Sequence, residues 1–246
     1  MKLFTKPETK MKQWITVLLL FVPLCAMAQA PDDEKIDLAI NNASSPFYYP
    51  TLMERYRQGD DKLTTEDYRH LYYGYLHQST YDPFTSVPQM DSIIVLLMHD
   101  PDLVPDDYER LIYFGSKVME SDPFNPRVLN VMTYAYSVIG DEENAAKSAR
   151  RFNGVMDAIL SSGEGNKENS PWHILYFNHA EDVMDQFNIQ YHKPVIVSRT
   201  TEFFRLIKRA GNTRGYYFDY GRIYTRRPDA VPQQQERRWQ INDRVL

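Results

Sequence analysis

The chain has 246 residues, of which 43% are hydrophobic and 25% charged, with a formal net charge of −5. That length suits one large domain or two small ones, and the composition excludes collagen-like, low-complexity and strongly charged classes. One cysteine excludes a disulfide framework, and an acidic balance argues against nucleic acid as a partner.

Residues 1–28 read as a secretory signal. Lys2, Lys6, Lys10 and Lys12 form a basic start, and Trp14 to Cys25 is an apolar run. That run is shorter than the ~20 residues that span a bilayer. Ala26-Met27-Ala28 is a small-x-small cleavage site ahead of Gln29, and Met11 is an alternative start. Leu24 stands before Cys25 where a lipoprotein signal has a small residue, so a lipid anchor is not expected. Cys25 leaves with the signal, and the mature chain has no thiol nucleophile and no cysteine–zinc site. The expected location is the periplasm or cell envelope, or outside the cell, with no membrane span after cleavage. Without the +3 of residues 1–28 the mature net charge is −8; residues 199–246 hold +6 of it and residues 29–198 hold −14. An acidic body beside a basic tail suits internal attraction or an anionic partner.

Asp32 to Asn42 predicts a short helix, and Ser44 to Pro50 an extended segment, because two prolines bracket Phe47-Tyr48-Tyr49. Leu52 to Arg57 predicts another short helix, ended by Gly59-Asp60-Asp61. Thr64 and Thr65, followed by Glu66 and Asp67, start a stronger helix that runs to about Gln78. Tyr68, Leu71, Tyr72, Tyr75 and Leu76 form its face. His70 and His77 are seven apart, the wrong spacing for a shared metal, and read as surface or packing residues. Tyr81-Asp82-Pro83-Phe84 echoes Ser121-Asp122-Pro123-Phe124, a hint of internal repetition. Val87 to His99 predicts a helix stopped by Asp100-Pro101, and Pro105 opens the next, which buries Tyr108, Leu111, Ile112, Gly115, Val118 and Met119.

Asp122 to Phe152 predicts helix, tight turn, helix. Pro123 ends one helix and Pro126 suits the first turn of the next. Val128, Leu129, Met132, Ala135, Tyr136 and Ile139 keep the 3-and-4 spacing of one face. Gly140 stops that helix and Asp141 caps its successor. Leu129, Met132, Tyr136, Gly140, Asp141 and Ala145 stand at offsets that resemble one tetratricopeptide repeat, with Asp122-Pro123 closing the unit before it. The segment from Ser92 to Asp122 departs from that pattern, since it lacks the Gly-Asp turn and is interrupted by Pro101 and Pro105.

Ser161 to Ser170 is polar, holds Gly163 and Gly165, and predicts a loop or boundary. Its Gly-Glu-Gly lacks the Lys-Ser/Thr of a phosphate loop, and Glu164 would repel phosphate. Beyond it Trp172 to Phe177 predicts a strand and His179 to Phe187 a short helix. Pro194 to Ser198 and Glu202 to Ile207 fit either strand or helix. Gly211-Asn212 is a turn, and Gly215 to Thr225 is rich in β-favouring aromatics. The Pro-, Gln- and Arg-rich residues 228–246 predict a disordered tail. The expected fold is α+β: a tetratricopeptide-like helical-hairpin array over residues 29–160, a loop at 161–170, and a small β-containing module over 171–227.

Asp122-Pro123-Phe124-Asn125, the hairpin from Tyr136 to Gly140-Asp141, Ser162-Gly163-Glu164-Gly165, and Ser170-Pro171-Trp172-His173-Ile174 leading to Glu181-Asp182 carry a second resemblance. Over roughly residues 40–210 the chain resembles a family of exported Bacteroidota proteins called domain of unknown function 4919. Glu164 departs from the Asp expected there, and Ala180-Glu181-Asp182 from an acid–acid–aromatic triplet. The resemblance implies export and the two-part layout. It implies no activity.

No His-Glu-x-x-His, Gly-x-Ser-x-Gly or Cys/His pair is present, and neither cofactor nor metal ligand set is indicated. Two functional readings follow. One is a non-catalytic binding or scaffold protein of the envelope that presents Tyr68, Tyr72, Tyr75 and Tyr136 to a protein or peptide. The other is a hydrolase in which His173, His179 and Glu181 form an acid–base cluster.

Overall fold

The computed structural model describes residues 29–98 and 103–226. The expected signal, the expected helix stop at Asp100-Pro101 and the expected tail from residue 228 lie outside them. The described chain is α+β, helices first and strands last. The helices are α1 (Asp33–Asn41), α2 (Tyr49–Gln58), α3 (Thr65–Gly74), α4 (Pro88–Leu97), α5 (Pro105–Ser121), α6 (Pro126–Val138), α7 (Glu142–Leu160), α8 (Asn178–Gln186) and α9 (Gly221–Tyr224). The strands are β1 (Trp172–His173), β2 (Val195–Ile196), β3 (Thr201–Ala210) and β4 (Thr213–Asp219).

Local chemistry sets most helix ends. The Thr64 hydroxyl accepts from the Asp67 N–H (3.2 Å) while the Asp67 carboxylate accepts from the Thr64 N–H (2.8 Å), a capping box that opens α3. Asn125 caps α6 by accepting from the Val128 N–H (2.9 Å), and Asp141 caps α7 by accepting from the Asn144 N–H (3.1 Å). Gly140 between them has φ +80°, the left-handed conformation that closes the hairpin. One expectation fails at Pro50. It sits in the first turn of α2, where a missing N–H costs nothing, so Tyr49-Pro50 begin the helix instead of ending an extended run.

Helices α4 to α7 pack consecutively, each against the next, and α7 also lies on α3. The sheet has strand order β1-β4-β3-β2, with β1 parallel to β4 and the other pairs antiparallel. The ambiguous stretch around Phe203 is the longest strand, because Phe204 and Leu206 alternate inward while Arg205 and Ile207 are exposed. The strand expected over Trp172 to Phe177 is only two residues long. Ile174 and Leu175 leave the sheet to become fully buried beneath it. β4 ends at Asp219, and Gly221–Tyr224 turn back as a short helix.

Two hydrophobic clusters form. The smaller joins α4, α5 and α6 through Ile93, Leu111, Val118, Val128 and Met132. The larger takes Leu52, Leu71, Tyr72 and Ile159 from the helices together with Trp172, Val183, Phe204 and Phe218 from the module beyond the loop. The core therefore continues across residues 161–170.

The loop explains its own glycines. A Cβ on Gly163 would lie 2.0 Å from the Pro171 carbonyl oxygen, and one on Gly165 would lie 2.3 Å from the Trp172 ring. The Trp172 indole N–H donates to the Gly163 carbonyl (3.1 Å), the His173 N–H to the Ser162 hydroxyl (2.9 Å), and the Tyr217 N–H to the Gly165 carbonyl (2.7 Å). Ser162-Gly163-Glu164-Gly165 is a clasp that lets two backbones touch.

Candidate functional site

Between Pro123 and Pro126 the chain must leave the helical conformation, and the carbonyls ending α5 lose their helical donors. Tyrosines supply replacements. Tyr75 and Tyr176 both donate to the Ser121 carbonyl (2.9 and 3.0 Å), and Tyr56 donates to that of Pro123 (2.5 Å). The Phe124 ring, 1% exposed, packs against Tyr56, Tyr72 and Tyr75 with centroids 5.1–6.0 Å apart. Residues from α2, α3 and the segment entering α8 thus converge on the four-residue link from Asp122 to Asn125.

Asp122 is the polar centre of this link. One carboxylate oxygen accepts from Asn125 Nδ2 (2.9 Å) and lies 3.2 Å from His179 Nε2. His179 is fully buried, and its Nδ1 lies 2.8 Å from the Tyr72 hydroxyl, which already accepts from the Leu175 N–H (3.1 Å). The Tyr72 proton has Nδ1 as its acceptor, which leaves the imidazole proton on Nε2, facing Asp122. A directed chain results: Leu175 N–H to Tyr72 O–H to His179 N–H to the Asp122 carboxylate. The other Asp122 oxygen, Oδ1, is buried and has no hydrogen-bond partner among the described residues.

Arg127, in the first turn of α6, donates from Nε to Asp182 (2.7 Å) and from Nη2 to Asp185 (3.2 Å) on α8, and Asn178 also donates to Asp182 (3.1 Å). Burial pushes the Asp182 carboxyl up to about 6, with Arg127 and His179 opposing the rise. Beside these groups is a cleft of about 300 Å³. Val87, Met90 and Ile94 of the α4 region and Phe177 make it apolar, and Asp122, Asn125 and Arg127 line its polar side.

The Asp182 shift carries a sign. Its folded value lies above the ordinary 3.8, so between those values the folded state holds the proton more tightly than the unfolded one. The stabilising contribution of this group therefore falls as pH rises from about 4 to about 6. Unfolding by urea at about pH 4 and about pH 7 should show the stability difference between wild type and Asp182→Asn shifting by about 2–3 kcal/mol toward the variant at the higher pH. An unchanged difference would mean that the carboxyl is not shifted.

The sequence-derived candidates fare unevenly. Tyr68, Tyr72 and Tyr75 are buried, at 4%, 0% and 3% exposure, so their rings belong mainly to the core, with Tyr75 and Tyr68 each edging a separate cleft. Amphipathic spacing marks a face that is covered, and here it is covered by α7, Phe124 and the C-terminal module. Tyr136 is half-buried against the smaller cluster, apart from the other three. His173, His179 and Glu181 do not assemble: no hydrogen bond, ion pair or ring contact joins any two of them among the described residues. His179 faces Tyr72 and Asp122, and Glu181 is exposed. His173 Nδ1 meets Arg222 (2.9 Å) and Asp219 (3.3 Å). Burial raises the Asp219 carboxyl, but hydrogen bonds from His173 and Thr200 outweigh it and hold the group below the usual range. Arg222 continues to Asp33 (2.9 Å) and the Pro31 carbonyl (2.8 Å), so this second cluster fastens the start of α1 to the sheet.

The Tyr81-Asp82-Pro83-Phe84 echo is not structural either. Asp82 and Phe84 are exposed, whereas Asp122 and Phe124 are buried. Sequence reasoning overlooked Asn125, Arg127, Tyr176 and Asn178 as site residues. The available signal was the Pro123–Pro126 spacing, which forces a short non-helical link with polar side chains at its ends.

No curated protein and no solved structure matches the chain. Residues 34–227, which include the link, the clasp, His173 and His179, match the family described as Domain of unknown function (DUF4919), and the chain belongs to that family.

Proposed function

We propose that this is an exported, non-catalytic binding protein of the cell envelope that holds a segment of an envelope protein or peptide in the cleft beside Asp122. The observation that carries the proposal is the cleft itself, where a wall of Val87, Met90 and Ile94 meets the side chains of Asp122, Asn125 and Arg127. A mostly apolar cavity with a few polar groups suits a ligand that brings hydrocarbon to the wall and a donor to Asp122. A peptide amide, an ammonium or a guanidinium qualifies. The signal-like residues 1–28 support export. Catalysis by His179 is disfavoured, because both ring nitrogens are engaged and the side chain is fully buried.

In-cell photo-crosslinking tests the proposal. A photoreactive amino acid at Met90 should capture one stoichiometric envelope protein, identified by the crosslinked peptide. The same group at exposed Tyr113 on α5 should not. Ile94→Asp, checked for folding by its thermal melt, should abolish the Met90 crosslink. Absence of a defined adduct at Met90, or the same adduct from Tyr113, would refute the cleft as the binding site.

A further inference from the structure

The sheet has a second face that the cleft does not use. Phe204, Leu206 and Phe218 point into the core. The register pairs Phe203 with Tyr217 on one side and with Val195 on the other, so these three share the opposite face. The Phe203 and Tyr217 rings lie 4.5 Å apart. Val195 and Ile207 are 56% and 57% exposed. The result is an apolar patch on a sheet face.

Its surroundings are basic. Lys193, Arg199, Arg205, Lys208, Arg209 and Arg214 are all exposed, and no ion pair engages them among the described residues. Residues 193–214 contain these six cations against a single acid, Glu202, a local net of +5. Residues 29–198 together carry −14. The molecule is therefore polarised, with one positive, partly apolar face on an otherwise acidic body.

We infer that this face of the β2–β3–β4 sheet docks on an anionic phospholipid surface. The charge pattern favours a bilayer as the occupant. Arginine and lysine heads can reach lipid phosphates while their stems and Ile207 rest at the headgroup boundary. The acidic body is repelled by the same surface, which turns the sheet face toward it. The inference stands apart from the cleft, whose lining comes from other elements.

The test is co-sedimentation of the protein, purified after export, with vesicles of phosphatidylcholine alone or mixed with phosphatidylglycerol. Binding should require phosphatidylglycerol and weaken at least about tenfold between low and high salt. Arg205→Glu with Arg209→Glu should weaken it at least about tenfold. Ile207→Asp should weaken it even in low salt. Arg110→Glu with Lys117→Glu on α5 makes the same change in net charge and should leave binding within about twofold. Far-UV melts establish that each variant is folded. Three results would each overturn the inference: no sedimentation with phosphatidylglycerol vesicles, equal losses from the sheet and α5 variants, or self-association in sedimentation velocity that Arg205→Glu abolishes.

Discussion

Replacing Asp122 with alanine should destabilise the fold by about 2–6 kcal/mol, because it strands two buried donors that each cost about 1–3 kcal/mol when unpaired. The donors are Asn125 Nδ2 and the His179 ring N–H. Neither can turn to solvent, since Asn125 is 2% and His179 0% exposed. The loss also spreads, because His179 is held on its other side by Tyr72, which in turn holds the Leu175 N–H. Against a typical domain stability of about 5–15 kcal/mol, that is enough to threaten folding at physiological temperature. Asp122→Asn separates hydrogen bonding from charge. Its amide oxygen can still accept both donors, while its NH₂ takes the place of Oδ1 and adds the smaller cost of a buried amide with no acceptor among the described residues. Urea unfolding should therefore show the asparagine variant losing less than alanine does. Equal losses would mean that the negative charge beside His179, not the hydrogen bonds, holds the link.

Gly163→Ala should be nearly as damaging, at about 3 kcal/mol or more, the upper end of what overpacking a rigid site costs. The added Cβ would sit 2.0 Å from the Pro171 carbonyl oxygen and 2.7 Å from that of Ser170, both backbone atoms with no rotamer to yield. Relief requires the clasp to open, which breaks the Trp172-to-Gly163 and His173-to-Ser162 hydrogen bonds and shifts β1 against β4. Gly140→Ala is the comparison. It has φ +80° but nothing within 4 Å of the new Cβ, so only the left-handed strain of about 1–2 kcal/mol applies. The urea midpoint should drop clearly further for Gly163→Ala than for Gly140→Ala. The reverse order would mean that the loop moves aside and the clasp is not rigid.

What the sequence by itself determined is local. Thr64 and Asp67, Asn125 and Pro126, and Gly140 and Asp141 each specify a helix boundary, because caps, proline and left-handed glycine act within about four residues. The order of helices before strands was legible for the same reason: the apolar period changes after the Gly163–Gly165 loop. Pairing across the chain was not legible. Spacing shows that Tyr68, Tyr72 and Tyr75 share a helix face, but whether that face is groove or core depends on what lies over it. Proximity in sequence groups His179 with Glu181, whereas its carboxylate partner in the fold, Asp122, is 57 residues away. The crowding at Gly163 likewise exists only once Pro171 returns against it. Tertiary structure decided these contacts, because it alone sets which two surfaces exclude water from each other, and burial is what turns a tyrosine, a histidine or a glycine into a particular role.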